Sequence, residues 1–431
     1  MKRYESYKDS GVKWLGEIPG HWEVYKLKYL FRLNKIKNVG NKCNTILSLS
    51  YGKIIIKKDL NEGLTPESYE SYQLLNKGDI VIRSTDLQND HTSLRTGLVK
   101  SDGAITSAYI GLKNLNVNLY DSRYYHYFLH DWDITKAIYN EGKGLRQSLN
   151  WDDIKNMLLP VLDINEQTAI ANYLDSVTSK IDEAISQQQK MIDLLNERKQ
   201  IIINNAVTKG LNPSAPMKDS GVDWIGEIPE HWKVMKLKHV TSKIGSGSTP
   251  RGGAEVYQDS GIMFLRSQNV YNDGLKLDDV AHIVDGVHQK MKGTQVKYND
   301  ILYNITGGSI GRCCCYDRED EANVNQHVSI VRPKGIIAKY LMYNLQSDNA
   351  QRQLRETLKG GNREGLAAVT FKEFLILTCP KEEQNQIVSH IERMFVNIDR
   401  AISNATKQIS LLQERKQIII NDVVTGKVKV S

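Results

Sequence analysis

The sequence predicts an α+β fold in which two globular domains are separated by two long antiparallel coiled-coil helices, with a pseudo-twofold internal repeat. Three observations support this prediction: one motif opens each half of the chain, a second motif closes each half, and the regions between them carry mixed strand and helix signals. The chain has 431 residues, enough for about three domains of ordinary size. Apolar residues make up 40% and charged residues 25% of it, as in ordinary globular proteins.

The opening motif recurs at a constant offset of 210 residues. Residues 8–22 read KDSGVKWLGEIPGHW, and residues 218–232 read KDSGVDWIGEIPEHW. Self-similarity over such a distance indicates two copies of one structural unit. Residues from about 31 to 158 and from about 241 to 378 share little obvious identity, so the ends are repeated while the contents differ.

The closing motif predicts a long helix at the end of each half. LLNERKQIIIN at residues 194–204 returns as LLQERKQIIIN at residues 411–421. Before and through each copy, apolar residues follow alternating steps of four and three, which is the pattern of a coiled-coil seam. The pattern is broken at Gln188 and Arg198 in the first copy and at Gln408 and Arg415 in the second. The seam positions are Ile170, Leu174, Val177, Ile181, Ala184, Met191, Leu195 and Ile202 in the first copy, and Ile387, Ile391, Met394, Ile398, Ala401, Ala405, Leu412 and Ile419 in the second. About 40 residues at 1.5 Å each make a rod of roughly 60 Å.

The expected segments are a first globular domain at 1–160, a central helix at 161–212, a second globular domain at 213–380 and a C-terminal helix at 381–431. Turn residues before short apolar runs predict strands in both globular domains. The expected elements are strands within 77–83 and 298–303, a polar loop at 245–253, and helices at 122–139 and 337–358.

The sequence shows no complete catalytic or cofactor motif. No GxxxxGK[ST] loop for a nucleoside triphosphate is present. The ExK patterns at residues 197–199 and 414–416 lie inside the predicted helices, where a solvated charged face is the favoured interpretation. The five cysteines fit no disulfide or zinc spacing and are expected to be reduced and structural. No apolar stretch reaches the roughly 18 residues of a membrane span, so the cytoplasm is the expected location.

Recognition of another molecule is the function that remains, and the net charge of +7 permits nucleic-acid binding. Polar loops rich in Arg, Asn, Gln, Ser and Thr carry the side chains that contact base edges and phosphates. The candidate DNA-binding residues are Arg83, Ser84, Thr85, Arg95, Lys143, Arg146 and Gln147 in the first domain, and Ser246, Ser248, Thr249, Arg251, Arg266, Gln268, Asn269, Arg312, Asn325, Gln326, Asn362 and Arg363 in the second. Their division between two dissimilar domains favours two unlike half-sites.

With these motifs the sequence resembles the DNA-specificity (S) subunit of type I restriction-modification systems. The resemblance covers essentially the whole chain and rests on the doubled opening, the doubled ending, the Glu-Gln helix starts that follow Pro160 and Pro380, and the Gly-Ser-Thr-Pro loop at 247–250. The first domain has no Gly-Ser-Thr-Pro counterpart, so the resemblance does not place its contact loop.

The resemblance implies two target-recognition domains that each read half of a bipartite, asymmetric double-stranded DNA target, and helices that set the spacing. It implies no catalysis and no metal in this chain. S-adenosylmethionine, ATP and Mg would belong to partner subunits, namely two methyltransferase subunits and restriction subunits, which would make the complex an adenine-N6 methyltransferase and ATP-dependent endonuclease. The partner-docking residues predicted with it are Trp14, Trp22, Trp224, Trp232, Glu166, Gln167, Glu383 and Gln384.

Two other interpretations stay open on the residues alone. In the first, the chain is a self-contained DNA-modifying enzyme whose site carries no recognisable motif. In the second, it is a coiled-coil scaffold that binds only proteins.

Overall fold

The computed structural model describes residues 2–57, 68–85, 94–140, 148–359 and 365–430. The chain divides into two compact units, Met1–Gln189 with Thr406–Ser431, and Lys190–Ala405. Each unit therefore contains a segment of both long helices. The boundaries between the compact units fall inside these helices, whereas the sequence analysis placed domain boundaries at the ends of the helices.

The first unit is built around a four-stranded antiparallel sheet with strand order β4-β11-β8-β9. Its elements are β1 (Tyr7–Asp9), β2 (Glu17–Pro19), β3 (Glu23–Lys26), β4 (Phe31–Leu33), β5 (Leu47–Ser50), β6 (Lys53–Ile56), β7 (Gln73–Leu75), β8 (Ile80–Ile82), β9 (Thr96–Leu98), β10 (Gly103–Ile105), β11 (Ile110–Asn114), α1 (Ser122–Ile134), α2 (Trp151–Ile154), β12 (Leu158–Val161) and the first part of α3 (Ile164–Lys209). Its core contains the fully buried Trp22, Tyr124 and Phe128.

The second unit contains a four-stranded antiparallel sheet with the order β16-β24-β21-β22. A second sheet of order β20-β17-β23 includes one parallel pair. The elements are β13 (Met217–Asp219), β14 (Glu227–Pro229), β15 (Lys233–Lys236), β16 (Thr241–Ser246), β17 (Ile262–Leu265), β18 (Val270–Tyr271), β19 (Gly274–Leu275), β20 (Ala281–Ile283), α4 (Asp285–Lys290), β21 (Ile301–Asn304), β22 (Cys313–Cys315), β23 (Ala322–Val324), β24 (Val328–Pro333), α5 (Ala338–Gln346), α6 (Asp348–Lys359), α7 (Ala368–Phe371), β25 (Leu375–Thr378) and the first part of α8 (Lys381–Val424).

The two four-stranded sheets are equivalent strand for strand, which the sequence did not show. In the first, Leu112 pairs with both Leu33 and Ile80; in the second, Val331 pairs with both Ile244 and Ile301. The residue after each central partner forms the same ion pair: Lys113 lies 3.3 Å from Asp79, and Arg332 lies 2.7 Å from Asp300. The internal repeat therefore includes the regions between the matched ends.

The long helices pair antiparallel along charged and apolar contacts. In the first unit, Lys416 of α8 lies 2.6 Å from Asp182 of α3; in the second unit, Lys199 of α3 contacts Asp399 of α8. Within the second unit, Ile203 and Val207 of α3 join the core cluster that contains Ile387 and Ile391 of α8, so residues beyond Lys199 lie with residues before Asp399, as in an antiparallel pair.

Three local expectations differ from the structure. Met191 was placed on the seam but is exposed, and Ile192 is half-buried in its place; a helix with 3.6 residues per turn drifts away from a strict heptad repeat. The helix predicted over 337–358 is two helices, α5 and α6, because Ser347 between them has an extended backbone. The helix predicted over 122–139 ends at Ile134, since Lys136 adopts a left-handed φ of 61° that stops the turn.

Candidate nucleic-acid interface

The loops at one end of the β16-β24-β21-β22 sheet bring several predicted residues of the second unit together. The loop after β16 turns at Gly247, whose backbone lies so close to β23 that an added Cβ would be 2.0 Å from the carbonyl oxygen of Val324. Glycine is required there because no side chain fits. This close approach places the exposed Ser248 and Thr249 beside the turn that precedes β24.

A chain of four side-chain hydrogen bonding groups crosses this loop end. The Thr249 hydroxyl donates to Oε1 of Gln326 at 2.5 Å, and Nε2 of Gln326 lies 3.1 Å from Nε2 of His327. Because an amide nitrogen can only donate, His327 accepts through Nε2 and carries its proton on Nδ1. That Nδ1 lies 2.6 Å from the Thr306 hydroxyl. We name Thr249, Gln326, His327 and Thr306 the polar loop cluster.

The polar loop cluster contains two residues that the sequence analysis missed, His327 and Thr306. Both adjoin residues that look ordinary in sequence, and only the sheet brings them beside Thr249. The predicted Ser246 and Arg251 are exposed on the same loop. Asn325 was also predicted as a contact, but it is buried and its side-chain oxygen accepts from the His327 backbone N–H at 3.2 Å. It shapes the turn.

A second group of predicted residues surrounds Asp279, away from β24. Arg266 and Gln268 both donate to the Asp279 carboxylate, at 3.4 and 2.5 Å. Asn269 is 1% exposed, and its amide holds the carbonyls of Lys276 and Asp279 at 2.9 and 3.2 Å. The Asn269 amide is thus used inside the protein, and its contact with DNA stays a prediction. The half-buried Arg312 lies over the Tyr271 ring, 4.9 Å from its centroid.

The predicted contacts of the first unit are largely interior. Arg95 is fully buried, and its Nη1 donates to the carbonyls of Arg83 and Thr85 at 3.4 and 2.7 Å. Ser84 is 3% exposed and donates to the Ala108 carbonyl. The Arg95 guanidinium fixes the end of β8 from inside the protein, and the DNA contact of Arg95 and Ser84 stays a prediction. Arg83 and Thr85 are half-buried at that strand end. The predicted residues Lys143, Arg146, Gln147, Asn362 and Arg363 lie outside the described residues.

The residues predicted to dock partners join each opening motif to its own helix. Trp22 is fully buried and its Nε1 donates to Glu166 at 3.3 Å, while the Tyr4 hydroxyl donates to the same oxygen at 2.7 Å. The second copy repeats this contact: Trp232 Nε1 donates to Glu383 at 3.1 Å. The preceding histidines, His21 and His231, reach the other oxygens at 2.9 and 2.7 Å. We name each Trp, His and Glu set a helix clasp.

The other predicted docking residues have similar internal roles. Gln167 is fully buried and binds the Asp121 backbone N–H and the carbonyls of Leu119 and Leu162. Gln384 is 4% exposed and binds the Ile337 N–H and the Cys379 carbonyl. Trp14 and Trp224 are half-buried, and Trp14 packs against Phe128. The polar atoms of the clasp and glutamine residues are thus engaged within the chain, and their role in partner docking stays a prediction.

The described ranges contain neither a group of metal ligands nor a membrane-spanning helix. Over residues 2–57, 68–85, 94–140, 148–359 and 365–430, no three histidine, cysteine or acidic side chains are grouped to hold a metal ion. No helix in those ranges is long and apolar enough to span a bilayer. All five cysteines are free, and burial raises the pKa of Cys314 and Cys315 to about 12, which keeps both as thiols.

Comparison with known proteins shows which proteins this chain is similar to. Residues 229–410 match the type I restriction modification DNA specificity domain. The MjaVIII type I restriction enzyme specificity subunit of Methanocaldococcus jannaschii is 24% identical over 98% of this chain and 97% of its own length. The putative MjaX specificity subunit of the same organism is 25% identical over 98% of both chains. Residues 229–410 thus match this domain family, and the chain is similar over nearly its whole length to type I restriction enzyme specificity subunits.

The fold of this chain is also found in a solved structure. A chain from a study of complex assembly and conformational transition of the type I R-M system superposes with a TM-score of 0.65, at 14% identity, over 95% of this chain and 99% of that one. This likeness supports the fold, including its long helices.

The chain also exposes apolar side chains on its repeated helix motif. Leu194 and Ile201 of α3 are 56% and 50% exposed, and Leu411 and Ile418 of α8 are 54% and 52% exposed. Each pair is seven residues apart, two helical turns, so both members lie on one face. We name the two pairs the helix patches; the first lies in the second unit and the second lies in the first unit.

Proposed function

We propose that this chain is a specificity subunit and recognises a split, asymmetric sequence of double-stranded DNA, with one half read by each compact unit. One observation carries the proposal: the same four-stranded sheet occurs twice, while the side chains at the same end of the two sheets differ. A shared scaffold with different loops reads different sequences, because base-edge contacts depend on the loop side chains. The specificity-subunit relatives over the full chain support this function, and a role without catalysis.

The helix patches suggest where the methyltransferase subunits dock. Exposed apolar pairs on a helix are typical of surfaces that a partner covers. The patches are two copies of one sequence motif, so we propose that two copies of one partner bind them. Restriction subunits would join that assembly, and S-adenosylmethionine, ATP and Mg would be held by these partners. The assembled complex would methylate adenine at N6 and cleave DNA with ATP. We propose the cytoplasm as the location, because the subunit would meet its DNA target there.

Methylome sequencing tests the recognition step. In cells that carry the complete system, we expect one adenine-methylated motif with two conserved parts and an unread spacer, and deleting this gene should abolish it. Persistence of every methylated motif after the deletion would refute the proposal. Thr249→Ala with Gln326→Ala should alter the bases of one half-motif and leave the other half unchanged, because only the second unit carries the polar loop cluster.

Arg251 gives a more graded test. Replacement with Ala should relax sequence preference by about 1–3 kcal/mol if the guanidinium meets a base edge, and should weaken all sequences equally if it meets a phosphate. Competition binding with target and random duplexes separates the two outcomes.

Two further assays address the alternatives. Purified chain supplied with labelled S-adenosylmethionine and DNA should incorporate no methyl group; incorporation would favour a self-contained enzyme. The assembled complex should shift duplex DNA in a salt-dependent manner. A complex that assembles but fails to shift DNA would favour a scaffold that binds only proteins.

The helix patches have a test of their own. Leu194→Asp with Ile201→Asp should remove one methyltransferase subunit from the complex, and Leu411→Asp with Ile418→Asp should remove the other. Native mass spectrometry measures the loss. Asn196→Ala and Gln413→Ala, at exposed positions of the same motif that do not face the patch, are the matched controls and should leave the stoichiometry unchanged.

A further inference from the structure

A groove in the first unit is lined by an excess of cations. It runs along β4 and past the start of α2, and consists of two adjoining cavities of about 960 and about 390 Å³ that share Leu33, Asn34, Lys35, Asn150 and Trp151. Its cationic residues are Lys28, Arg32, Lys35, Lys37 and Lys113, and its acidic residue is Asp152. We name this surface the basic groove.

Most of these cations have no carboxylate to neutralise them. Lys113 pairs with Asp79, and Asp152 is engaged by Lys155. Among the residues that the structure describes, no carboxylate lies within 4.0 Å of the charged nitrogens of Lys28, Arg32, Lys35 or Lys37. Lys37 is nevertheless held in place: its Nζ donates to the Ser107 hydroxyl at 2.6 Å and to the Ser71 carbonyl at 3.3 Å. An oriented ammonium without an anionic partner favours an external anion.

The sheet register relates this groove to the polar loop cluster of the second unit. Leu33 and Ile244 occupy equivalent positions in the two sheets. Leu33 pairs with Leu112, which also pairs with Ile80. Ile244 pairs with Val331, which also pairs with Ile301. Counting onward, Lys35 corresponds to Ser246 and Lys37 to Ser248. Counting back from Leu112 and Val331 by five, Ser107 corresponds to Gln326. The Lys37–Ser107 hydrogen bond of the first unit is therefore equivalent in position, to within one residue, to the Thr249–Gln326 hydrogen bond of the second unit.

The equivalent surface of the second unit keeps a cation at two positions, Lys243 for Arg32 and Arg332 for Lys113, but carries less unpaired charge at the others. Its counterpart of Lys28 is Lys238, which lies 2.6 Å from Glu373, and Lys236 lies 2.7 Å from the same carboxylate. Hydrogen bonds from these lysines lower the pKa of Glu373 to about 2, so it stays ionised and cancels part of their charge. Serines stand where the first unit has Lys35 and Lys37. The two units share a scaffold but differ in charge at the same end.

We infer that the basic groove binds the sugar-phosphate backbone of duplex DNA, and that the first unit supplies most of the salt-dependent affinity while the second supplies mainly neutral polar contacts. This inference rests on the proposed function and names the contact surface that the first unit uses. Unpaired Lys and Arg side chains neutralise phosphates and release counterions, so each phosphate contact adds to the salt dependence of binding.

The test measures duplex binding by the assembled complex, or by the full chain if it binds alone, between 50 and 200 mM salt. The probes are a duplex that contains the methylated motif and a random duplex of equal length. Arg32→Ala, Lys35→Ala and Lys37→Ala together should reduce the slope of log affinity against log salt by about 2.7, which is 0.9 for each of three lost phosphate contacts. Both probes should weaken by the same factor.

Three controls separate this reading from a general loss of charge or fold. Lys8→Ala, Lys13→Ala and Lys180→Ala remove the same charge from exposed positions of the first unit outside the groove and should leave the slope unchanged. Arg32→Lys, Lys35→Arg and Lys37→Arg retain the charge and should restore the slope. Ser246→Ala with Ser248→Ala, the equivalent positions in the second unit, should change the ratio of target to random binding without changing the slope.

The outcomes distinguish the groove from the proposed function. An unchanged slope in the groove variant, or an equal fall in the control triple, overturns the inference while the wild-type complex still binds its target. Loss of a partner subunit from the groove variant also overturns it and assigns the groove to a protein. If the wild-type complex binds neither duplex, the proposed function itself fails.

Discussion

Removing Glu166 from the first helix clasp should destabilise the first unit by about 3 kcal/mol. Its carboxylate accepts hydrogen bonds from two buried donors, Trp22 Nε1 and the Tyr4 hydroxyl. Trp22 is fully buried and Tyr4 is 8% exposed, so Glu166→Ala leaves both donors without water or a partner. Each unsatisfied buried group costs about 1–3 kcal/mol, and the exposed His21 adds little.

The second clasp supplies the matched comparison. Glu383 accepts from one buried donor, Trp232, so Glu383→Ala should cost only about 1–2 kcal/mol, and the cost should fall on the second unit. Glu197→Ala, at an exposed position of α3, should change stability by less than about 0.5 kcal/mol.

Backbone amide exchange measured by mass spectrometry assigns each loss to its unit. Peptides covering residues 4–22 should lose protection in Glu166→Ala, and peptides covering residues 217–232 should lose it in Glu383→Ala. Equal costs for the two variants, or lost protection in the opposite unit, would refute the assignment of these glutamates as clasps. A cost below about 0.5 kcal/mol for Glu166→Ala would refute the buried hydrogen bonds.

The remaining predictions concern spacing and pH. Inserting one heptad both between residues 189 and 190 and between residues 405 and 406 keeps the seams in register and adds about 10.5 Å to each helix. Methylome sequencing should then show a spacer about 3 base pairs longer between unchanged half-motifs. Altered half-motifs would contradict the idea that the helices set the spacing. Burial lowers the pKa of His126 to about 3 and of His130 to about 4. As the pH falls, these histidines are protonated in the unfolded chain before they are protonated in the folded one. The folded state is therefore destabilised as the pH falls below about 6.5. Burial raises the pKa of Asp131 to about 6, which opposes this effect and leaves a net loss of stability of about 2 kcal/mol between pH 6.5 and 5. Urea unfolding should show this loss in the wild type and not in the double variant His126→Gln with His130→Gln. An equal loss in both proteins would contradict the prediction.

Sequence reasoning succeeded where local pattern and structure share a period. The doubled motifs predicted the two long helices, and the seam positions Ile170, Leu174, Ile387 and Ile391 are buried. The Gly-Ser-Thr-Pro loop lies at a sheet end, as an exposed polar loop should. Periodicity identifies such elements because one face of a helix must be apolar and a tight approach requires glycine.

Sequence reasoning did not find the internal contacts of residue types that fit both a surface and an interior role. Arg95, Ser84 and Asn269 resemble DNA contacts in composition, yet they satisfy backbone groups that only the folded sheet places beside them. Trp22 and Glu166 recur as Trp232 and Glu383, which suggested a docking surface, and each pair forms the same internal contact. The basic groove escaped notice because its cations are spread from residue 28 to residue 113 and meet only through the pairing of β4 with β11.

The equivalence of the two sheets has an evolutionary consequence. Each recognition region lies between stretches that are nearly the same in both halves, so genetic crossover within those stretches would exchange one region and leave the clasp and helix contacts intact. A new half-target would then be acquired in a single event, without refining individual loops. Such an exchange would pass on the specificity of one unit as a whole.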